Sequence, residues 1–318
     1  MNAGIDIGYN RTKLAYGDRQ TAAFASVVGT PIRERFSLNG RDSGIRLMEA
    51  GQEWLIGDEA AAHSLITNRS EARDWINKPD YYRLYLAAIS QITTANYLEL
   101  SIVTGLPVDY MDDAQQLERR LMGRHTVQLV GRHSQTINTT FAKAIPQGLA
   151  AALSLALDDK GRLVDQDFTT GWLGVIDMGG GTVNFNSIYK LAEMTNESAS
   201  IRTGGWQLVR QTRDIIERVA PGADLRDNEV EIIIQQGHLG GLKIPGLDDL
   251  ITPLADKIIT TADNLWKGGH KLNQILVSGG GAHLFGRHIA KRWPRKTIIL
   301  DNPQYANALG YWKLSQRL

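Results

Sequence analysis

Three glycine-bearing turns, each entered from a hydrophobic run, hold the residues of this chain best suited to chemistry. In the first, residues 4–13 read Gly-Ile-Asp-Ile-Gly-Tyr-Asn-Arg-Thr-Lys, so the carboxylate of Asp6 closes a buried strand and Gly8 permits a tight turn with exposed backbone N–H groups. Such groups grip phosphate oxygens. Lys13 on the returning strand adds a point charge for β- and γ-phosphates, and Asp6 could hold Mg²⁺ directly or through its waters. Taken alone, an ordinary hairpin with a surface Asp and Lys would read the same way.

The second turn is more specific. Residues 175–184, Val-Ile-Asp-Met-Gly-Gly-Gly-Thr-Val-Asn, set three glycines one residue behind Asp177 at the end of a strand. Glycine runs give up much backbone entropy on folding, and a hairpin closes with fewer, so something must approach this backbone closely. Asp177 is then the better candidate for orienting an attacking water or a metal. In the third turn, residues 276–283, Gly279, Gly280, Gly281 and Ala282 follow a strand and open a helix. Bare backbone there suits a flat nucleoside, although a plain strand-to-helix turn shares the pattern.

The elements that must position these turns follow from hydrophobic periodicity. Residues 4–9, 11–17 and 21–28 read as a three-stranded meander; 81–92 as a helix; 98–104 as a buried strand; 112–122 as a helix; and 127–144 as paired strands. Pro146 then opens an alanine-rich helix over 147–157, and 158–170 is a polar connection. At residue 172 the opening pattern restarts, with strands over 173–178 and 182–189. Helices follow over 205–219 and 247–266, then a strand at 275–278, a helix at 284–293, a strand at 298–300 and a closing helix at 305–314. A strand ending in Asp, a Gly-bearing turn and a Thr-containing return strand thus occur once near the start of each half, which implies two homologous lobes.

The 318 residues exceed what one core usually serves. Thirty-five Lys and Arg against 34 Asp and Glu leave a net charge of +1 and no chain-wide footprint for nucleic acid. With no cysteine, disulfides, thiolate metal sites and thiol nucleophiles are excluded. None of the seven histidines stands at metal-ligand spacing with acidic neighbours. The tryptophans read as core, and the basic run 287–296 as a solvated helix face. The first residues enter a strand pattern without the basic and apolar regions of a signal peptide, and no run approaches the roughly 20 apolar residues of a spanning helix, so a cytoplasmic location without membrane attachment is expected.

In their order the turns resemble the actin, sugar-kinase and heat-shock-chaperone ATPase superfamily. Its two phosphate motifs fall on residues 6–13 and 177–184, its first connecting helix on 146–151 (Pro-Gln-Gly-Leu-Ala-Ala), its adenosine motif on 278–282 and its second connecting helix on 306–310 (Ala-Asn-Ala-Leu-Gly). Residues 4–16, the following Phe24-Ala25-Ser26-Val27-Val28-Gly29, and 103–108 (Val-Thr-Gly-Leu-Pro-Val) are similar to the N-terminal pattern of plasmid-segregation ParM/StbA proteins and archaeal relatives.

The resemblance implies an α/β, actin-like two-lobed ATPase fold of duplicated ribonuclease-H-like lobes. Residues 1–157 would form lobe I with an insert at about 29–80, 158–301 lobe II with an insert at about 221–246, and 302–318 a helix returning to lobe I. It implies ATP, with GTP as the open alternative, and Mg²⁺ held at Asp6 and Asp177 through water. Phosphates would lie against Gly8, Tyr9, Asn10, Thr12 and Lys13 and against Gly179, Gly180, Gly181, Thr182 and Asn184. The nucleoside would meet Gly204 and Gly205, ahead of the helix at 206–219, and Gly279 to Ala282. Gln147 stands where the family places its catalytic Gln or Glu, beside Asp6 and Asp177; a neutral amide orients water but takes no proton, which implies slow, assembly-dependent hydrolysis. Asn184 departs from the Asp that ends this motif in many relatives, which weakens a carboxylate metal contact there. Arg226, Glu229 and Glu231 stay unseparated as ribose ligands. The implied function is a filament of this chain itself that segregates a plasmid or other mobile element through a DNA-bound adaptor, without direct nucleic-acid or membrane contact. A small-molecule kinase or a cell-shape scaffold is the alternative.

Overall fold

Both halves of the chain open on a hairpin whose first strand is buried on both faces, and the rest is built outward from these. A computed structural model describes residues 1–31, 44–64, 67–68, 74–164, 166–202 and 205–318. Strands β1 (Asn2–Ile7), β2 (Arg11–Tyr16) and β3 (Gln20–Ala25) form an antiparallel meander. Short strands β4 (Val28–Gly29), β5 (Ile45–Glu49), β6 (Gln52–Ile56) and β7 (Thr67–Asn68) and the one-and-a-half-turn helix α1 (Asp58–His63) occupy the segment expected as an insert. Helix α2 (Pro79–Ser90) starts on proline, whose fixed φ suits a first turn. Strand β8 (Tyr97–Leu106), helix α3 (Ala114–Leu121), β9 (Gly123–Leu129) and β10 (Gln135–Pro146) complete a ten-stranded sheet ordered β3-β2-β1-β8-β10-β9-β5-β6-β4-β7. The insert is therefore no detached unit: β5 pairs with β9 and prolongs the main sheet.

Helix α4 (Gln147–Ala156) and the five-residue α5 (Gln166–Thr170), the latter inside the expected polar connection, lead to the second sheet. Its strands are β11 (Trp172–Met178), β12 (Val183–Tyr189), β13 (Ala192–Glu193) and β14 (Ala199–Ile201), joined later by β17 and β18. Helix α6 (Gly205–Val219) precedes α7 (Asp227–Gln236), which is capped by Gly237 at φ 76° and followed by the hairpin β15 (His238–Leu239) and β16 (Leu242–Lys243). Helix α8 (Leu247–Leu265), β17 (Gln274–Ser278), α9 (Ala282–Arg292), β18 (Thr297–Ile299) and α10 (Ala306–Ser315) finish the chain. The parallel pairs β1/β8 and β11/β17 flank the two hairpins, so both sheets put strands of one direction beside the Asp-bearing strand.

Two cores result, one under the first sheet around Ile5, Leu14, Leu84, Tyr85 and Ile102, the other around Phe185, Leu208, Trp266, Ile275 and Phe285. Trp75, Trp266, Trp293 and Trp312 are buried, as expected of core tryptophans, whereas Trp54 and Trp172 are half-buried and the Trp206 side chain lies outside what the structure describes. The halves meet through α4 and α10. A Cβ on Gly310 would lie 1.8 Å from the Ala150 carbonyl oxygen, and one on Gly4 would lie 2.1 Å from that of Ala308. Only glycine allows backbones to pass this closely. No helix among the described residues is long and apolar enough to cross a membrane.

Candidate functional site

The two hairpins share one geometry, residue for residue. Asp6 pairs with Lys13 across β1 and β2, and Asp177 with Asn184 across β11 and β12. In each, the glycine two positions after the Asp donates its N–H to a carbonyl three residues on: Gly8 to Arg11 at 3.3 Å and Gly179 to Thr182 at 2.9 Å. Both turns face one cleft, which Gly8 to Arg11, Lys13, Gln147, Gly179 to Thr182 and Asn184 help to line.

The third turn packs onto the second. Gly279, at φ 83°, donates to the Pro303 carbonyl at 2.8 Å, and Gly281 to that of Met178 at 3.0 Å. A Cβ on Gly279 would lie 2.3 Å from the Met178 oxygen, whereas one on Gly280 would meet nothing within 4 Å. Gly279 and Gly280 border the cleft; Gly281 and the buried Ala282 serve packing against Met178 and Phe285 instead of facing it. Gly205 stands at the start of α6, where its Cβ would be 3.9 Å from Gly180, while Thr203 and Gly204 lie outside the described residues.

A relay of polar groups crosses the cleft floor. Asp6, 2% exposed, accepts from Lys13 Nζ at 2.9 Å and from Gln147 Nε2 at 3.2 Å. Gln147 Oε1 accepts from Asn184 Nδ2 at 3.1 Å, and Asn184 Oδ1 from Ser200 Oγ at 2.6 Å. The carboxylate sets the polarity of the chain: it can only accept, so Gln147 must turn its amide nitrogen to Asp6 and its oxygen to Asn184. Asp177 accepts from Ser278 Oγ at 3.0 Å and Asn307 Nδ2 at 2.9 Å. Burial works against the charge on Lys13, but the charge and hydrogen bond of Asp6, with Asp177 beyond, hold its pKa above the ordinary lysine value. Burial pushes the Asp177 carboxyl up, further raised by Asp6 and opposed by Asn307, Lys13 and Ser278.

Thr12 is the exception among the expected phosphate ligands. Strand alternation puts Arg11 and Lys13 on one face of β2 and Thr12 on the other, where its hydroxyl is buried against Ser26 Oγ at 3.0 Å. Conversely, Asn10 Nδ2 reaches across the cleft to Glu231 Oε1 at 2.9 Å. This separates the acidic pair: Glu229 accepts from the Arg226 N–H at the start of its own helix at 2.8 Å, and Glu231 joins the halves. Residues not anticipated at the site are Arg11, Asn307, Gln304, Trp75 and Tyr81; the last two form an aromatic wall with the expected Tyr9, the Tyr9 and Trp75 rings lying 6.4 Å and the Trp75 and Tyr81 rings 5.7 Å apart.

Residues 4–149 match the family model described as actin-like proteins, N-terminal domain. Over the whole chain the structure is similar to the archaeal actin homologue Ta0583 in its complex with ADP, at a TM-score of 0.83 and 20% identity, covering 100% of this chain and 99% of that one. The fold is actin-like. The ParM of a 15-stranded filament from Clostridium botulinum has a TM-score of 0.79 at 23% identity, covering 100% and 99%, and a non-polymerisable quadruple mutant of pCBH ParM has 0.80 at 22%, also covering 100% and 99%. No curated protein matches the sequence.

The cleft of this actin-like fold suits a nucleotide with a metal. Glycines at 8, 179 and 280 leave backbone unshielded where side chains would otherwise intrude. Asn307 Oδ1 and the Tyr311 hydroxyl are buried beneath it without a protein partner, and such groups call for water or ligand. Among the described residues no cluster of three or more His, Cys, Asp or Glu could hold a metal unaided. Asp6 and Asp177 already accept hydrogen bonds on both oxygens, so they fit a Mg²⁺ held by phosphate and waters.

Proposed function

We infer that this actin-like chain binds ATP, or GTP in its place, with Mg²⁺ between the two hairpins, hydrolyses it slowly, and assembles with itself into filaments. The observation that carries the reading is the duplicated Asp-x-Gly hairpin pair facing one cleft, bridged by Gln147 between Asp6 and Asn184. Backbone N–H groups of residues 9–10 and 180–182 would hold the phosphates, those of Gly8 and Gly179 being used within the turns, and Gly205, Gly279 and Gly280 would border the nucleoside. Asp6 and Asp177 would hold Mg²⁺ through water, where it would neutralise charge developing on the transferred phosphoryl group.

Gln147 has the chemistry to orient water. Its oxygen keeps a second lone pair after accepting from Asn184, and that lone pair can fix the attacking water's direction. An amide cannot take the proton at ordinary pH, so catalysis would rest on positioning and electrostatics. Because the cleft joins both halves, loss of the γ-phosphate would relax them and weaken contacts between subunits. The likeness to a filament of ParM supports plasmid or mobile-element segregation through a DNA-bound adaptor as the setting.

The test is light scattering with pelleting, and phosphate release, with ATP, GTP, ADP and no nucleotide. Triphosphate-dependent scattering that decays as phosphate appears is expected. Hydrolysis without any sedimentable polymer would remove the filament and leave a monomeric phosphotransfer enzyme.

A further inference from the structure

The cleft lining carries three carboxylates, Asp6, Asp113 and Asp177, against two cations, Arg11 and Lys13. It must nonetheless accept a polyanion if the cleft binds a nucleotide, and the role of Arg11 rests on that reading. Lys13 is committed: its side chain is 18% exposed and paired with a 2% exposed Asp6. Breaking that pair would strand a buried carboxylate. Arg11 differs in every respect that governs exchange.

Arg11 lies two residues before Lys13 on the same face of β2, opposite Ala25, while Lys13 stands opposite Ala23. Small neighbours leave its guanidinium room to swing. Nη1 is 3.0 Å and Nη2 3.4 Å from the two oxygens of Asp58, and Nη2 is 3.4 Å from the Ala23 carbonyl. The pair is open to water, 35% exposed on Arg11 and 51% on Asp58, and such pairs are weak. A guanidinium fork matches two phosphate oxygens as well as it matches a carboxylate, and phosphate carries more charge.

Asp58 is the first residue of α1, in the segment whose strands prolong the first sheet. Gly57, just before it, donates to the Val27 carbonyl at 3.0 Å. The Arg11–Asp58 pair is thus a tie from the first phosphate turn to the outer part of that sheet.

We propose that Arg11 is a terminal-phosphate ligand, held in reserve by Asp58 and exchanged onto a nucleoside triphosphate when one binds. Release of Asp58 then removes one tie between the first phosphate turn and α1, which stays anchored by its buried Ala60 and by the Gly57–Val27 hydrogen bond.

Equilibrium titration of ADP and a non-hydrolysable ATP analogue, both with Mg²⁺, into the parent, Arg11→Ala, Arg11→Lys and Asp58→Asn chains tests this. Arg11→Ala should lose on the order of tenfold in affinity for the triphosphate analogue, the weight of a charge-assisted contact, with ADP affinity near parental. Arg11→Lys should recover part of the loss. Asp58→Asn, at an exposed position, should bind the analogue more tightly than the parent by removing the competing carboxylate, and it keeps the test open should Arg11→Ala fail to fold. Equal weakening toward both nucleotides, or Asp58→Asn binding as the parent does, overturns the exchange. A parent that binds neither nucleotide overturns the nucleotide reading as well, and the two failures are thereby distinguished.

Discussion

Gln147→Glu turns the relay on the cleft floor into a measurable conflict. The substitution is nearly isosteric, but it replaces the amide nitrogen facing Asp6 with a carboxyl oxygen. At the 3.2 Å that Gln147 Nε2 keeps from Asp6 Oδ1, two carboxylates would repel by about 5 kcal/mol at an effective dielectric of about 20. Cleft water and Lys13 screen roughly half of that, leaving about 2–3 kcal/mol, or about two pKa units on the introduced acid above its ordinary value of about 4.3. The sign follows. A carboxyl whose folded pKa is raised is favoured protonated in the fold, so its stability contribution is present below the unfolded pKa and is lost as pH rises through the folded one. The stability gap between parent and variant should therefore open by about 2–3 kcal/mol between about pH 4 and about pH 7 and then level off. Urea unfolding of both chains across that range, without nucleotide, measures it. A gap equal at both ends would show that residue 147 does not face Asp6.

Asp177→Asn should abolish phosphate release yet fold at least as stably as the parent at neutral pH. Its amide nitrogen can pair with the orphaned Asn307 Oδ1 once that side chain turns over, and the stability advantage should grow as pH rises through the raised Asp177 pKa, where the parent loses stability; melting temperatures at several pH values check this. Gln147→Ala should still bind nucleotide and polymerise while hydrolysing on the order of a hundredfold more slowly, so scattering after a limiting ATP pulse should persist; decay as fast as the parent's refutes the role. Gly279→Ala should destabilise by at least about 1 kcal/mol, since φ 83° strains any L side chain and the Cβ falls 2.3 Å from the Met178 oxygen; an unchanged denaturant midpoint would contradict it.

The hairpins were legible because their chemistry is local: strand, Asp, Gly and return strand lie within eight residues, and spacing fixes which groups stand opposite. The same alternation could have excluded Thr12 and promoted Arg11, since residues 11 and 13 share a face whatever else is true. Asn307 lay inside the second connecting motif, but its tie to Asp177, 130 residues away, depends on where α10 docks. Helix α7 lies in the segment expected only as an insert, since consecutive Ile232, Ile233 and Ile234 leave its periodicity ambiguous; the tertiary structure buries 230, 233 and 234 and exposes 232. Glu231 and the aromatic wall are likewise products of assembly. At the third turn the glycines could not be sorted by sequence, because close packing on a neighbouring backbone and room for a ligand demand the same residue; the fold puts Gly279 and Gly280 at the cleft and Gly281 against Met178.

The contact of Gly310 with the Ala150 carbonyl has a mechanical consequence. Where helices meet through interdigitated side chains, rotamers can yield and the helices slide by small steps. Here backbone rests on backbone at that point, and beside it Lys313 Nζ donates to the Ser154 and Leu157 carbonyls. Sliding would drive the neighbouring side chains of one helix into the other, so the freedom left is rotation about the point of touch, as in a bearing. Displacement under rotation grows with distance from the axis. Strand β1 packs on α10 and strands β11 and β12 on α4, so the two hairpins border the bearing, and a small change in their separation is geared up with distance from it.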